Sequence, residues 1–270
     1  MKHDLIFNTR FFFSTAPLPC PYLPDRMERR VVTELIGRDT LEMHEQLSLA
    51  GFRRSHGIAY APACAGCNAC KAVRVLANEF KCGRAHRRVR RRNADIIAQP
   101  LAPFATEEQF QLFAAYQRAR HSDGEMSKMD FFEYQGLVQD TPVETEVVEF
   151  RDLSGDLIAV CLTDRMINGL SAVYSFFDPK LDRRSLGTYM ILWLIEEAQR
   201  RSMAYVYLGF WIAECAKMAY KLKFSPLEVR TSGGWGVLGG KAIEREILGG
   251  TSSRDYTPEA PINLTFSEIL

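Results

Sequence analysis

The sequence predicts a mixed α/β (α+β) fold in two parts, on three observations. Strand-like and helix-like segments alternate along the chain, a proline-bearing stretch near residue 100 divides it, and 47% hydrophobic against 25% charged residues supplies a sizeable core in 270 residues. That composition excludes disorder for most of the chain. No window approaches about eighteen uninterrupted apolar residues, and charged residues break up the aromatics of MKHDLIFNTRFFFSTAP. Neither a membrane span nor a signal peptide is therefore expected, and the expected location is cytoplasmic.

The first part, residues 1–97, reads as a small α+β unit carrying cysteines and arginines. ERRVVTEL (28–35) is strand-like. GRDT turns into an amphipathic helix from about Asp39 or Thr40 to Ala50, with Leu41, Leu47 and Ala50 inward and Gly51 as its stop. FRRSHGIAY (52–60) alternates, and KAVRVL (71–76) resumes the sheet after a cysteine loop. AQPLAP (98–103) ends a basic helix and reads as a linker.

The second part, residues 104–248, has a more regular order, before a polar tail at 249–270. Thr106 with Gln109 and Asp130 with Glu133 make capping boxes for two helices. Strand-like runs follow at 144–152, 157–164 and 170–178, then a helix over 185–201, a buried strand at 204–210, a helix over 213–222 and a strand at 227–230. The order ααβββαβαβ is that of a GNAT-like acyltransferase domain, whose mixed central sheet splays so that an amine meets an acyl donor between two strands. A fold alone does not fix the reaction.

Charge is distributed unevenly, although the net charge is only +1. KCGRAHRRVRRR (81–92) holds seven permanent cations in twelve positions, Lys81, Arg84, Arg87, Arg88, Arg90, Arg91 and Arg92, with His86 as an eighth when protonated. Guanidinium groups grip phosphate oxygens through paired donors and displace counterions, so this run is a candidate polyanion contact. A solvated helix face is the plain alternative. Coenzyme A would need a small residue where RSLGTY has Tyr189, although Arg184 and Gly187 fit a pyrophosphate turn.

Collinear segments carry a family resemblance: CPYLPDRMERRVVTEL, GFRRSHGIAYAPACAGCNACKAVRV, RRVRRRNADI, YSFFDP, SLGTYMILWLIEEA and YLGFWIAECAKMAYKLKFSPLE. Together, from about Cys20 to Glu228, they resemble the aminoacyl-tRNA–protein transferases. The Cys-x-x-Cys-x-x-Cys loop and short chain resemble the bacterial branch, the aspartate/glutamate leucyltransferases, more than the eukaryotic arginyltransferases. The resemblance implies transfer of leucine from leucyl-tRNA onto proteins beginning with Asp or Glu, which marks them for degradation. The implied partners are that tRNA, contacted by the arginine run through shape and phosphates, and those proteins, with no DNA and no membrane. Arginyl transfer, coenzyme A-dependent N-acetylation and a metal-binding RNA module that only holds tRNA are the rivals.

An aminoacyl-tRNA ester is already activated, so the enzyme must position an amine, accept a proton and stabilise an oxyanion, with no cofactor required. No Ser-His-Asp constellation is needed. Candidates come from the segments expected to line the splay: Tyr174 and Ser175 as oxyanion donors, Asp178 or Glu214 to orient or deprotonate the amine, and Lys217 with Tyr220 for the ester or acceptor carboxylate. Arg53, Arg54 and Arg74 are candidates for the acceptor's acidic side chain. Core tyrosines, a turn aspartate and a surface lysine are the plain alternatives.

Cys64, Cys67 and Cys70, with Cys20 as a fourth donor, suit tetrahedral zinc or an iron–sulfur cluster, and the resemblance also points to iron–sulfur binding. Buried thiols near a turn and metal-free redox chemistry are the alternatives. Cys82, Cys161 and Cys215 read as packing residues.

Overall fold

The computed structural model describes residues 11–240; residues 1–10 and 241–270, including the tail expected at 249–270, lie outside the described residues. The chain opens with β1 (Phe13–Ser14), β2 (Leu18–Pro19), β3 (Met27–Glu28) and β4 (Arg30–Glu34). Then come α1 (Thr40–Leu49), β5 (Arg53–Ser55), β6 (Ile58–Pro62), β7 (Lys71–Leu76) and α2 (Arg84–Arg92). β8 (Ile97–Leu101), α3 (Glu107–Arg120), α4 (Phe131–Gln139), β9 (Thr145–Arg151), β10 (Leu157–Arg165) and β11 (Gly169–Phe177) follow. α5 (Leu186–Arg200), β12 (Tyr205–Trp211), a 3-10 run over Ala216–Lys223, β13 (Leu227–Thr231) and β14 (Gly234–Val237) complete the order.

These strands make a four-stranded antiparallel sheet, β1-β4-β6-β5, a β2-β3 pair, and an eight-stranded mixed sheet in the order β14-β13-β7-β12-β11-β10-β9-β8. In the large sheet β11 and β12 run parallel, joined by the crossover helix α5. Alternation along the strands sends Ala159 and Cys161 to the face covered by α5, and Val160 and Leu162 to the face covered by α3 and α4. Val75, Ile195, Val206 and Val229 on the α5 side are fully buried. Each contributes about 1.5–3 kcal/mol of burial. A third cluster joins Met43 and Leu47 of α1 to Phe12, Phe52 and Ala59 under the smaller sheet.

Both capping boxes form: Thr106 accepts from the Gln109 amide and Asp130 from the Glu133 amide, with the reciprocal side-chain bonds present. Gly51 ends α1 at φ +96°, and Phe52 N donates to Leu47 O at 2.8 Å, which closes a Schellman turn. Leu41 is 51% exposed, against expectation, because the inward stripe is Thr40, Met43, His44, Leu47 and Ser48.

AQPLAP is not a linker but mostly β8, paired antiparallel with β9 at the outer edge of the large sheet. An edge tolerates Pro100, whose missing N–H would break a central ladder. β7, expected in the first part, lies between β13 and β12, so residues from both expected parts share one sheet. The helix expected over 213–222 is wound at 3-10 pitch instead. At three residues per turn Cys215, Met218, Lys221 and Phe224 align on one side, and all four are at least partly buried. β14, a glycine-containing strand, follows the last strand expected from the sequence.

Candidate active site

β11 and β12 stay paired for three positions, Gly169 with Tyr205, Leu170 with Val206 and Ser171 with Tyr207, and then part. A bulge opposite Leu162/Thr163 interrupts β11, and another between Tyr207 and Gly209 interrupts β12 against β7. Such extra residues bend each strand and leave backbone groups without ladder partners. The side chain of Arg53, from β5 of the smaller sheet, enters the opening. Its Nη2 donates to Val173 O at 3.1 Å and Ala172 O at 3.4 Å, and its Cζ lies 5.9 Å from the Phe210 ring centre. Gly209, at φ +72°, makes room for it: a Cβ there would lie 2.4 Å from Arg53 Cζ. Among the described residues no carboxylate pairs with Arg53, and the hydrogen bonds of this half-buried cation go to backbone carbonyls.

Further groups gather round it. Lys221, 5% exposed, donates from Nζ to Phe210 O, and burial first and Arg53 second push its pKa down to about 7. Tyr220, 41% exposed, has its pKa raised by burial, with Arg53, Tyr116 and Cys161 close enough to interact. Tyr116 stacks edge-on against Phe177, centroids 5.0 Å apart, and against His121 at 5.7 Å. Tyr174 accepts a 2.6 Å bond from Gln117 Nε2, and burial pushes its hydroxyl up to about 12, so its own proton remains available to donate. Lys217 is exposed and near His121, whose pKa is lowered by burial first and then by Lys217 and Arg120. Of the sequence candidates, Arg53 and Tyr220 are neighbours beside Lys221, Tyr116 connects Tyr220 with Tyr174, and Lys217 reaches the same region through His121.

The other candidates are placed elsewhere. Arg54 is consumed in a buried ion pair, Nε and Nη2 donating to Asp164 at 2.6 and 2.7 Å, while Thr145 donates to the same carboxylate at 2.8 Å. His44 lies 3.7 Å from that carboxylate, its pKa lowered chiefly by burial. Arg74 donates to Glu228 at 2.7 Å and Tyr207 at 3.1 Å, with its Cζ 3.5 Å from the Tyr205 centroid and 4.2 Å from that of Trp235. Asp178 caps a turn by accepting from Lys180 N at 2.9 Å. Glu214 is exposed near Arg26 beside the cysteine loop. Ser175 sits in β11 opposite Cys161.

α2 presents the basic run. None of its residues is buried, and Val89 anchors it to the main core beside α5. Arg87 donates to Cys82 O at 2.6 Å, Arg92 to Arg183 O, and Arg90 pairs with Glu196 at 2.8 Å. Among the described residues Lys81, Arg84, Arg88 and Arg91 form no ion pair, leaving their charge exposed. A groove of about 500 Å³ runs between α2 and α5, lined by Arg87, Arg90, Arg91, Tyr189 and Trp193 among others. The surroundings of His86 work against its serving as an eighth cation. It lies between Phe80 and Phe224, centroids 5.3 and 5.5 Å away, and its pKa is lowered by burial and by Lys223.

Tyr189 turns its ring against Phe150, centroids 6.0 Å apart, instead of occupying the turn before α5. Arg184 there is held by Asp95 and by Asn93 Oδ1 at 3.0 Å, and the Phe177 ring lies 3.4 Å from where a Cβ of Gly187 would be. The residue pattern that fits a pyrophosphate turn is therefore committed to internal contacts.

The seven cysteines are free. Cys20, Cys67 and Cys70 pack around Leu23, Ile212 and Cys215. Cys64 accepts from Arg29 N at 3.4 Å and Cys67 from Arg26 Nη1 at 3.2 Å, while burial first and then Cys64, Cys67 and Cys20 raise the Cys70 thiol to about 12. The thiols are neighbours, yet among the described residues no three His, Cys, Asp or Glu side chains are arranged to hold a metal ion. Cys20, Cys64 and Cys67 all lie close enough to Cys70 to act on its thiol, and Cys20, Cys67 and Cys70 pack against one small apolar cluster. Cys161 and Cys215 are buried in packing positions, and Cys82 packs partly buried on the core.

The large mixed sheet thus parts between β11 and β12 around an inserted cation, and an exposed basic helix lies against α5. Residues 18–88 match the N terminus, and residues 108–231 the C terminus, of the family described as arginine-tRNA-protein transferase, and the chain belongs to that family. Proteins named aspartate/glutamate leucyltransferase are among its relatives. That of Paramagnetospirillum magneticum is 54% identical over 87% of this chain and 96% of its own length. Its counterpart in Rhodospirillum rubrum is 53% identical over 87% and 96%, and that of Granulibacter bethesdensis 48% over 89% and 90%. In backbone shape the chain covers 64% of a solved structure described as L-PGS from Bacillus licheniformis, with 80% of this chain aligned at a TM-score of 0.42 and 11% identity. Among the described residues no helix is long and apolar enough to cross a membrane.

Proposed function

We propose that this protein transfers leucine from leucyl-tRNA to the α-amine of proteins whose first residue is Asp or Glu, in the cleft between β11 and β12. Family membership and the names of the relatives support the reaction class. The structural observation that carries the acceptor assignment is Arg53: a half-buried guanidinium in the splay whose bonds go to backbone carbonyls and not to a carboxylate. Its neighbours in sequence and type, Arg54 and Arg74, already hold Asp164 and Glu228. A pocket arginine prefers a carboxylate over a carbonyl because the bond is charge-assisted and bidentate, so an acidic side chain is favoured over its amide.

The donor ester supplies the activation, and the protein supplies position and polarity. The acceptor's acidic side chain binds Arg53, which sets its α-amine in the splay within reach of the leucyl carbonyl. Tyr174 faces the reacting carbonyl as a hydrogen-bond donor, with Ser175 on the opposite face of β11, and Tyr220 with Lys217 holds the ester end of the tRNA. α2 takes the tRNA backbone through its unpaired arginines, by charge and shape. The reaction takes place in the cytoplasm and needs no cofactor. The cysteine loop is assigned to holding β2, β3 and the 3-10 run together. Zinc or an iron–sulfur cluster would be held there by Cys20, Cys64, Cys67 and Cys70, and metal analysis of protein purified without an affinity tag tests it.

The test supplies labelled leucyl-tRNA or arginyl-tRNA with peptides differing only in beginning with Asp, Glu, Asn or Lys. Label passing from leucyl-tRNA to the Asp and Glu peptides alone supports the proposal. Transfer from arginyl-tRNA instead changes the donor, and tRNA binding without transfer removes the enzyme.

A further inference from the structure

Lys221 has no task in the steps above, yet it is the most deeply buried basic group in the cleft described. The 3-10 pitch aligns it with Cys215, Met218 and Phe224 on the inward stripe, whereas α-helical pitch would rotate it away from them. Its Nζ donates to Phe210 O, on the first stretch of β12 beyond the splay, while Arg53 occupies the carbonyls of β11 across the opening. The groups facing it are Arg53 from β5, Cys215 and the Tyr220 ring, 5.9 Å from Nζ. Lys217 and Lys223, on the same run, interact instead with His121 and His86. Among the described residues no carboxylate pairs with it. Burial and the Arg53 charge favour the neutral amine, with a pKa of about 7. A neutral amine donating one N–H to a carbonyl keeps its lone pair free, and a backbone carbonyl cannot take its proton.

We propose that Lys221 is the proton acceptor and shuttle of the transfer reaction, an assignment that rests on the aminoacyl-transfer reading. The acceptor's neutral amine forms the new C–N bond at the leucyl carbonyl and sheds one proton to neutral Lys221 Nζ. The tetrahedral intermediate then breaks its C–O bond, and the resulting ammonium returns that proton to the departing ribose oxygen. Amide and free ribose hydroxyl are the products, and Lys221 is again neutral. Arg53 holds the acceptor, while burial first and Arg53 second leave a share of Lys221 neutral near pH 7.

Two measurements test this. Lys221→Arg keeps a donor for Phe210 O but cannot deprotonate, so it removes the chemical role, and circular dichroism checks that the added charge beside Arg53 leaves the fold intact. Under saturating leucyl-tRNA and Asp-peptide, kcat should fall by about 10²–10⁴-fold with KM for either substrate changed less than about threefold. Separately, the protein with ¹³C-labelled lysine side chains should show one ε-carbon resonance titrating near pH 7, absent from the Lys221→Arg spectrum. Wild-type kcat in Lys221→Arg, with the fold retained by circular dichroism, overturns the assignment; so does a Lys221 resonance that titrates above about pH 9, near an unperturbed lysine. Wild-type protein that transfers from no aminoacyl-tRNA overturns the transferase reading and the shuttle with it. Transfer by wild type at a rate matched by the variant overturns the shuttle alone.

Discussion

Gly209→Ala perturbs the cleft with a single methyl group. The new Cβ would stand 2.4 Å from Arg53 Cζ, 2.5 Å from Nη1 and 2.6 Å from Nε, where ordinary contact begins at 3.4 Å, so the guanidinium must withdraw by about 1 Å. Its bonds to Val173 O at 3.1 Å and Ala172 O at 3.4 Å cannot both survive that shift. Backbone strain adds to this, because φ at 209 is +72° and an L-residue in left-handed geometry costs about 1–2 kcal/mol. Urea unfolding should therefore show a loss of about 1–2 kcal/mol. Misplacing a substrate-positioning group by about 1 Å lowers rate by about 10²-fold, so kcat/KM for an Asp-initiated peptide should fall by about that factor. In Arg53→Ala the methyl group has space, so the double variant should transfer no more slowly than Arg53→Ala alone. Wild-type transfer by Gly209→Ala, or fully additive losses in the double variant, would refute the placement of Arg53 against Gly209.

Three further outcomes follow from the same geometry. Asp164→Asn leaves the buried Arg54 guanidinium without its counter-charge, and should lower unfolding free energy by about 3–5 kcal/mol, read from the urea midpoint. Replacing Arg88 and Arg91 of α2 by Ala should weaken binding of any tRNA alike, and flatten the slope of log K against log salt by about 1 per residue. Lys221 gives a signed pH effect: with its folded pKa near 7 and the unfolded value at 10.5, only the unfolded chain holds the proton between those limits. Stability contributed through this group therefore rises with pH across that window by about 1.4 kcal/mol per unit and is lost as pH falls toward 7. Lys221→Met should lack that slope, whereas parallel stability curves would rule it out.

The elements most legible in the sequence were those with local chemistry that admits one geometry. The two capping boxes fixed α3 and α4, and Gly51 fixed the end of α1, because a side-chain acceptor or a positive φ acts within a few residues. β8 was illegible as a strand because its proline speaks against a sheet, and only its position at the edge, a tertiary fact, makes it compatible.

The site divides in the same way. Arg53 and Arg54 are adjacent and chemically identical, and in β5 they point to opposite faces, one into the splay and the other onto Asp164. Nothing in the sequence says which face is which until the partner strands are placed. Arg74 lies in the strand-like run KAVRVL, and its carboxylate partner Glu228 lies 154 positions away on β13. Lys221 is not among the sequence candidates, and the tighter pitch of its run aligns it with Cys215, Met218 and Phe224. Glycine at 209, within a buried strand pattern, was the available signal of close approach by another group.

The most direct test of the account compares an Asp-initiated with an Asn-initiated peptide, in wild-type protein and in Arg53→Gln, with leucyl-tRNA as donor. The account predicts that the wild type prefers Asp by at least about 100-fold in kcat/KM, and that Arg53→Gln brings the ratio close to 1 by losing rate on the Asp peptide. An unchanged preference in Arg53→Gln, with both peptides slowed alike, would contradict it and place recognition of the acidic side chain outside the splay.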